Sequence, residues 1–178
     1  MTQIQLKDRC FDIFLKEDII LKGIERVAQQ IDADLKDRDP LFICILNGAF
    51  MFAAELIKRF NSACEVTFIR LNSYEGVNRK ENLKEIQGLM ENIENRDIVI
   101  VEDIIDTGHT MEYLLNLLKK KKPATIKIAT LLFKPNALQL AIKPDYIVKE
   151  IPNDFIVGFG LDYNGHGRNL RNIYKIKN

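Results

Sequence analysis

Short apolar runs alternate with amphipathic segments along most of the chain. Continuous runs rich in β-branched residues predict strands that are buried on both faces, and apolar positions that recur every three or four residues predict helices. On this basis the predicted strands are 41–46, 66–71, 98–101, 126–133, 146–148 and 155–157, and the predicted helices are 17–33, 49–60 and 107–122. This alternation predicts an α/β fold, in which a central, mostly parallel and twisted sheet is flanked by helices.

Residues 72–88 interrupt this pattern, because they are polar, contain glycine and show no convincing period. A loop of this length inside a compact domain is typical of a lid, a binding loop or a disordered segment. Elsewhere the sequence has no internal repeat, no low-complexity stretch and no linker that would divide it. The 178 residues are therefore interpreted as a single domain, 1–178.

Composition and charge narrow the classes of partner. The formal net charge of +1 predicts no strong overall field toward nucleic acid or an anionic membrane. The apolar runs are shorter than the ~20 residues of a membrane helix, and the first residues lack the apolar core of a secretory signal. Four lysines at 119–122 are interpreted as solvated charges at a helix C-terminus. Three scattered cysteines without a Cys-x-x-Cys pair indicate reduced thiols, so we expect a cytoplasmic protein.

The segment after the predicted strand 98–101 carries the most informative chemistry. Ligands of parallel sheets bind beyond the carboxyl ends of the strands. At this end Glu102 and Asp103 are followed by Asp106 and by a Thr-Gly-x-Thr turn that opens a helix, residues 107–110. Backbone N–H groups and hydroxyls at such a turn can hold a phosphate, and neighbouring carboxylates suit ribose hydroxyls or Mg²⁺. The segment therefore predicts a sugar phosphate bound together with a metal.

A purely structural role explains only some of the polar residues in this segment. Asp106 and Thr107 could form a helix N-cap. That role does not explain Glu102 and Asp103 at the mouth of a buried strand, where unpaired charge is costly.

Residues 101–110, Val-Glu-Asp-Ile-Ile-Asp-Thr-Gly-His-Thr, also resemble the 5-phosphoribosyl 1-diphosphate (PRPP) signature of type I phosphoribosyltransferases, in the form of their hypoxanthine-guanine branch. The resemblance implies that Asp106 is the catalytic base at purine N7, and that Glu102 and Asp103 lie by the ribose hydroxyls and the metal. It further implies a 5′-phosphate loop made of Asp106, Thr107, Gly108, His109 and Thr110. His109 stands where lysine is frequent in the family, and a backbone contact is expected there.

Segments nearer the C-terminus match other parts of the same family's site. Lys134 matches the lysine that donates to the exocyclic oxygen at purine C6, which favours 6-oxopurines over adenine. Phe155 matches the aromatic residue that stacks on the purine, and Ile156 is expected to contact the base edge. Asp162 matches an acid that orients Mg²⁺ beside the purine site, and Arg168 an arginine that reaches the diphosphate.

Two earlier segments complete the resemblance. Leu46, Asn47 and Gly48 look like the diphosphate loop, where the family often has a cis peptide bond, here expected between Leu46 and Asn47. Asn47 departs from the lysine or arginine of many relatives, which puts the affinity for diphosphate in question. Ser73 and Tyr74 resemble the start of a mobile lid.

The resemblance implies purine salvage with Mg²⁺ as cofactor. The expected substrates are PRPP with hypoxanthine and also guanine, and the products IMP or GMP and diphosphate, in a fold that adds a small purine-binding hood and forms a homodimer or homotetramer. Two alternatives stay open: xanthine as the main base, and a non-catalytic PRPP-sensing regulator on the same fold. The sequence decides neither the preferred base nor the oligomeric state.

Overall fold

The computed structural model describes residues 2–73 and 84–177, and within them the chain forms ten strands and three helices. The helices are α1 (Glu17–Leu35), α2 (Phe50–Ile57) and α3 (His109–Lys119). The strands are β1 (Gln3–Leu6), β2 (Arg9–Leu15), β3 (Leu41–Leu46), β4 (Glu65–Ser73), β5 (Lys84–Gln87), β6 (Asp97–Ile105), β7 (Thr125–Phe133), β8 (Tyr146–Glu150), β9 (Ile156–Val157) and β10 (Ile173–Ile176).

The larger sheet has the order β5-β4-β3-β6-β7-β8. Its strands β4, β3, β6, β7 and β8 are parallel, and β5 pairs antiparallel with β4. The predicted α/β fold with a mostly parallel sheet is therefore confirmed. Leu46 pairs with Arg70, and Ile105 pairs with Phe133, so the carboxyl ends of these strands meet at one edge of the sheet.

Alternate residues of the central strands pack toward opposite faces of this sheet. On one face, Phe42 and Val99 belong to a core that includes the apolar residues of α1 and α2. On the other face, Ile43 and Ile100 pack with Met111, Leu114 and Leu118 of α3. The continuous apolar runs of β3 and β6 reflect this burial on both faces.

A second, antiparallel sheet has the order β1-β2-β10-β9 and joins the two ends of the chain. Its small core contains Phe11, Val157 and Tyr174. This sheet forms the hood implied by the family resemblance. The sequence pattern did not predict β1, β2 or β10, because they are short, half-exposed strands that pair with distant parts of the chain.

Other boundaries differ from the predicted ones. β6 extends to Ile105, so Glu102 and Asp103 lie within the strand rather than after it. The prediction of an unbroken loop at 72–88 is wrong at β5, while 74–83, including the predicted lid residue Tyr74, lies outside the described residues. Among the described helices, none is long and apolar enough to cross a membrane. That residues 1–178 form one domain stays a prediction.

Candidate active site

The turn from β6 to α3 forms a cradle at the carboxyl edge of the large sheet. Gly108 precedes α3 with φ 92°, a left-handed conformation that suits glycine, and a Cβ there would lie 3.1 Å from Leu138 Cδ1. The turn borders a cavity of about 100 Å³ lined by Glu102, Ile104, Ile105, Asp106, Thr107, Gly108, Thr110 and Met111. The N-terminal N–H groups of α3 and the positive end of its dipole favour an anion here.

The side chain of His109 contacts the segment between β7 and β8. Its ring Nε2 lies 3.1 Å from Gln139 Oε1. The backbone N–H of Gln139 in turn donates to the carbonyl oxygen of Thr107, at 3.1 Å. The segment around Gln139 therefore supports the cradle from outside.

An ion pair lies at the mouth of the cradle. The Nζ of Lys134 donates to Oδ2 of Asp106 at 2.9 Å, and the backbone N–H of Lys134 donates to the carbonyl oxygen of Ile105 at 3.0 Å. The Lys134 side chain is only 10% exposed, whereas that of Asp106 is 47% exposed. The ammonium group is thus fixed, and the carboxylate remains open to a ligand.

The loop after β3 meets β6 and the segment after β9 at very close range. A cis peptide bond joins Leu46 and Asn47, as expected. A Cβ on Gly48 would lie 1.6 Å from Oδ2 of Asp103, and a Cβ on Gly160 would lie 2.1 Å from the carbonyl oxygen of Gly48. Only glycine at these two positions allows the three segments to approach each other.

Asp103 is held against this loop in a desolvated position. Burial raises the pKa of its carboxyl group above the ordinary value, and contacts with Glu102, the N–H of Ile104 and Arg168 oppose that shift. The N–H of Ile104 donates to Oδ1 of Asp103 at 2.9 Å. A cation bound beside this carboxylate would favour its charged form.

The segment after β9 brings Asp162 and Arg168 together. Arg168 Nη2 pairs with Oδ1 of Asp162, and Arg168 Nη1 donates to the carbonyl oxygen of Gly160 at 2.8 Å. The N–H of Gly165 donates to Oδ2 of Asp162 at 2.6 Å. Both oxygens of Asp162 therefore already have partners within this segment.

The carboxylates of the site suit a Mg²⁺ ion that is shared with a ligand. Within residues 2–73 and 84–177, no three or more His, Cys, Asp or Glu side chains form a group that could hold a metal by themselves. Mg²⁺ usually binds one or two carboxylates and completes its shell with phosphate oxygens and water. Glu102 and Asp103, adjacent on β6, fit such a set of donors, and Asp162 fits it less directly.

An aromatic cluster lies at the hood. The ring of Phe155 is partly exposed, and its centroid lies 5.9 Å from that of Tyr163 and 6.4 Å from that of Phe11. The hydroxyl of Tyr163 donates to Asp8 Oδ1 at 2.9 Å. Ile156 is buried in β9, where it pairs with Lys175. Phe155 therefore offers a supported apolar surface to a planar ligand.

Comparison with known proteins agrees with this architecture. The sequence model of the phosphoribosyl transferase domain family matches residues 12–164. The chain belongs to this family. The resemblance seen in residues 101–110 is therefore confirmed over most of the chain.

Relatives of this phosphoribosyltransferase cover nearly its whole length. It is 42% identical to the hypoxanthine-guanine phosphoribosyltransferase of Streptococcus pyogenes over 93% of this chain and 92% of the relative. The solved hypoxanthine phosphoribosyltransferase of Staphylococcus aureus has 35% identity and a TM-score of 0.85, covering 93% of this chain and 91% of that one. A Trypanosoma cruzi hypoxanthine phosphoribosyltransferase variant, solved as a ternary substrates complex, has 32% identity and a TM-score of 0.87, with 93% and 94% covered.

The phosphoribosyltransferase site contains residues that the sequence did not single out. Tyr163 and Phe11 support Phe155, and Arg70 contacts the loop after β3. Tyr163 lies next to Asp162 in the matched C-terminal segment, which could have drawn attention to it. Phe11 and Arg70 carry no such signal, because only the pairing of distant strands brings them to the site.

Proposed function

We propose that this phosphoribosyltransferase salvages purines by transferring the 5-phosphoribosyl group of PRPP to hypoxanthine and guanine, with release of diphosphate. The products are IMP and GMP. The observation that carries the proposal is the 2.9 Å pair of Lys134 and Asp106, in which Asp106 lines the anion cradle. The similar protein of Streptococcus pyogenes is a hypoxanthine-guanine phosphoribosyltransferase and that of Staphylococcus aureus a hypoxanthine phosphoribosyltransferase, which supports these bases.

The Lys134–Asp106 pair matches one edge of a 6-oxopurine. O6 and N7 of such a base lie side by side on that edge. Lys134 donates to O6, and the carboxylate of Asp106 accepts from N7–H. Adenine presents an amino group at C6, which is itself a donor and would face the Lys134 ammonium. The base stacks on Phe155, so the pair also sets its orientation.

Transfer then needs one new bond and one proton acceptor. N9 of the bound base attacks C1′ of the ribose while the bond from C1′ to the diphosphate oxygen breaks, and the diphosphate leaves with that electron pair. The proton on N7 passes to Asp106, whose carboxylate is open to the ligand side. General-base catalysis of this kind contributes ~10²–10⁴ in rate.

The remaining residues bind and orient PRPP. The turn at 106–110 receives the 5′-phosphate, Glu102 and Asp103 face the ribose hydroxyls, and the loop 46–48 with Arg168 receives the diphosphate. Bound Mg²⁺ would neutralise the charge that develops on the leaving group, and Glu102, Asp103 and Asp162 are the residues proposed to hold or orient it. Ser73, at the end of β4, would start the lid.

We also propose a cellular compartment and an oligomeric state for the enzyme. We expect it to act in the cytoplasm as a homodimer or homotetramer, without nucleic-acid or membrane partners. Sedimentation of the purified protein would give the oligomeric state directly.

A spectrophotometric assay tests the function. The protein is supplied with PRPP and Mg²⁺ and with hypoxanthine, guanine, xanthine or adenine separately, with and without EDTA. We expect mononucleotide from hypoxanthine and guanine, lost on chelation. Turnover confined to xanthine would contradict the proposed bases, and PRPP binding without turnover of any base would point to a sensing protein.

A further inference from the structure

The loop that receives the diphosphate carries no charged side chain of its own, since it reads Leu46-Asn47-Gly48. We propose that Arg70, on the neighbouring strand, supplies the positive charge at this loop and binds the diphosphate of PRPP. Asn47 holds the Arg70 side chain in place. The inference rests on the proposed function, because it concerns the substrate of the same site.

Strand pairing places Arg70 beside the loop. β3 and β4 are parallel neighbours, and Arg70 is the register partner of Leu46. Its side chain is exposed, and its Nη2 donates to Oδ1 of Asn47 at 2.8 Å. The guanidinium group therefore stands beside the first residue after β3, on the edge of the sheet where the cradle also lies.

The contact with Asn47 orients the guanidinium group without neutralising it. An amide oxygen accepts a hydrogen bond but carries no net charge, and a guanidinium group has five N–H donors. Among the ion pairs between the described side chains, those of residues 2–71 and 88–177, none involves Arg70. The planar fork keeps donors for phosphate oxygens, which it can bind in a bidentate manner.

Arg168, the other arginine of the site, already has two partners within its own segment. Arg168 pairs with Asp162 and donates to the carbonyl oxygen of Gly160, which lies against Gly48. Asp103, on the opposite side of β3 from Arg70, adds negative charge near the same loop. A diphosphate bound at the loop therefore needs a further cation. Arg70 contacts the loop through Asn47 and can supply that charge.

Replacement of Arg70 tests the inference. In Arg70→Gln the amide can still donate to Asn47, but the charge is lost. We expect the KM for PRPP and the Kd for inorganic diphosphate to rise ~10–100-fold, with kcat changed much less. Arg70→Lys should recover part of the affinity. The double variant Arg70→Gln/Asn47→Lys should recover it as well, because it returns a cation to the loop.

The dependence of diphosphate binding on salt concentration shows whether the loss in Arg70→Gln comes from the missing charge or from the changed shape of the side chain. Diphosphate binding by the unaltered protein should weaken with salt, and this dependence should be smaller in Arg70→Gln. Arg38→Gln is the matched control, because Arg38 pairs with Asp97 at the amino-terminal edge of the sheet. It should leave both constants unchanged.

The outcomes distinguish the inference from the proposed function. Unchanged PRPP and diphosphate constants in Arg70→Gln, in a protein that turns over hypoxanthine, would overturn the role of Arg70 and leave the function standing. Failure of the double variant to regain affinity while Arg70→Lys also fails would assign Arg70 a positioning role only. Lack of turnover by the unaltered protein would instead contradict the function.

Discussion

Lys134 and Asp106 form an ion pair at 2.9 Å although they lie 28 positions apart in the chain. Asp106 follows β6 and Lys134 follows β7, and Ile105 is the register partner of Phe133 in these adjacent parallel strands. The pair is therefore a consequence of strand register. Asp106 is the proposed proton acceptor and Lys134 the proposed donor to the oxygen at C6. Because the two side chains are in contact, both can bind the same edge of one purine base.

Replacing the proposed proton acceptor should separate catalysis from folding. We expect Asp106→Asn to lower kcat by ~10²–10⁴, because the amide cannot accept the N7 proton, with little change in thermal stability. Steady-state kinetics and a thermal melt measure the two quantities. Asp18→Asn on the exposed surface of α1 is the control and should alter neither. Turnover of Asp106→Asn within a few-fold of the unaltered enzyme would rule out the role.

The buried ammonium group of Lys134 should determine the choice of base. We expect Lys134→Gln to lower kcat/KM for hypoxanthine and guanine by roughly 10–100-fold, the value of a hydrogen bond to a charged donor. Discrimination against adenine should fall at the same time. Parallel kinetics with hypoxanthine and adenine measure the ratio. An equal loss with both bases would indicate a general loss of packing instead.

The close approach of Gly48 and Asp103 should tolerate no added side chain. A Cβ at Gly48 would lie 1.6 Å from Oδ2 of Asp103, so Gly48→Ala must displace one of the two segments. We expect a loss of ~1–3 kcal/mol in the free energy of unfolding and at least ~10-fold in the KM for PRPP. Denaturant titration and kinetics measure both.

Gly23→Ala is the control for that experiment. A Cβ at Gly23 would lie 2.7 Å from Val148 Cγ1, in the packing of α1 on β8 and away from the site. It should lower stability while leaving the KM for PRPP unaltered. A normal KM in Gly48→Ala would show that the contact with Asp103 is not needed for binding.

The cysteines should differ in reactivity toward alkylating reagents. Burial raises the pKa of Cys44 to about 12, whereas Cys10 is exposed. The thiolate is the reactive form, and its fraction at a given pH falls as the pKa rises. At pH 8 we expect iodoacetamide to modify Cys10 and to spare Cys44 until the protein unfolds. Peptide mass mapping measures the modified fractions, and rapid labelling of Cys44 in the folded protein would contradict its burial.

The five parallel strands of the central sheet could be predicted from sequence to within a few residues, whereas the antiparallel strand β5 could not. The run Leu41–Leu46 was predicted with its observed bounds, because a short apolar strand buried on both faces leaves a continuous signal. The segment 101–110 indicated an anion site from the order of its residues alone. The strand and the anion site each depend on residues close together in the chain, so the periodicity and spacing of the sequence predict them.

Features that depend on contacts between distant segments were decided by the tertiary structure. The hood strands β1, β2 and β10 are short and half-exposed, and they are stabilised by pairing the two ends of the chain. The approach of Arg70 to Asn47 depends on the register of β3 with β4, and the approach of Asp106 to Lys134 on the register of β6 with β7. The sequence by itself determined the parallel strands of the sheet, the cradle and the family. Only packing decided which charges face each other, since a contact energy depends on distance in space rather than on separation along the chain.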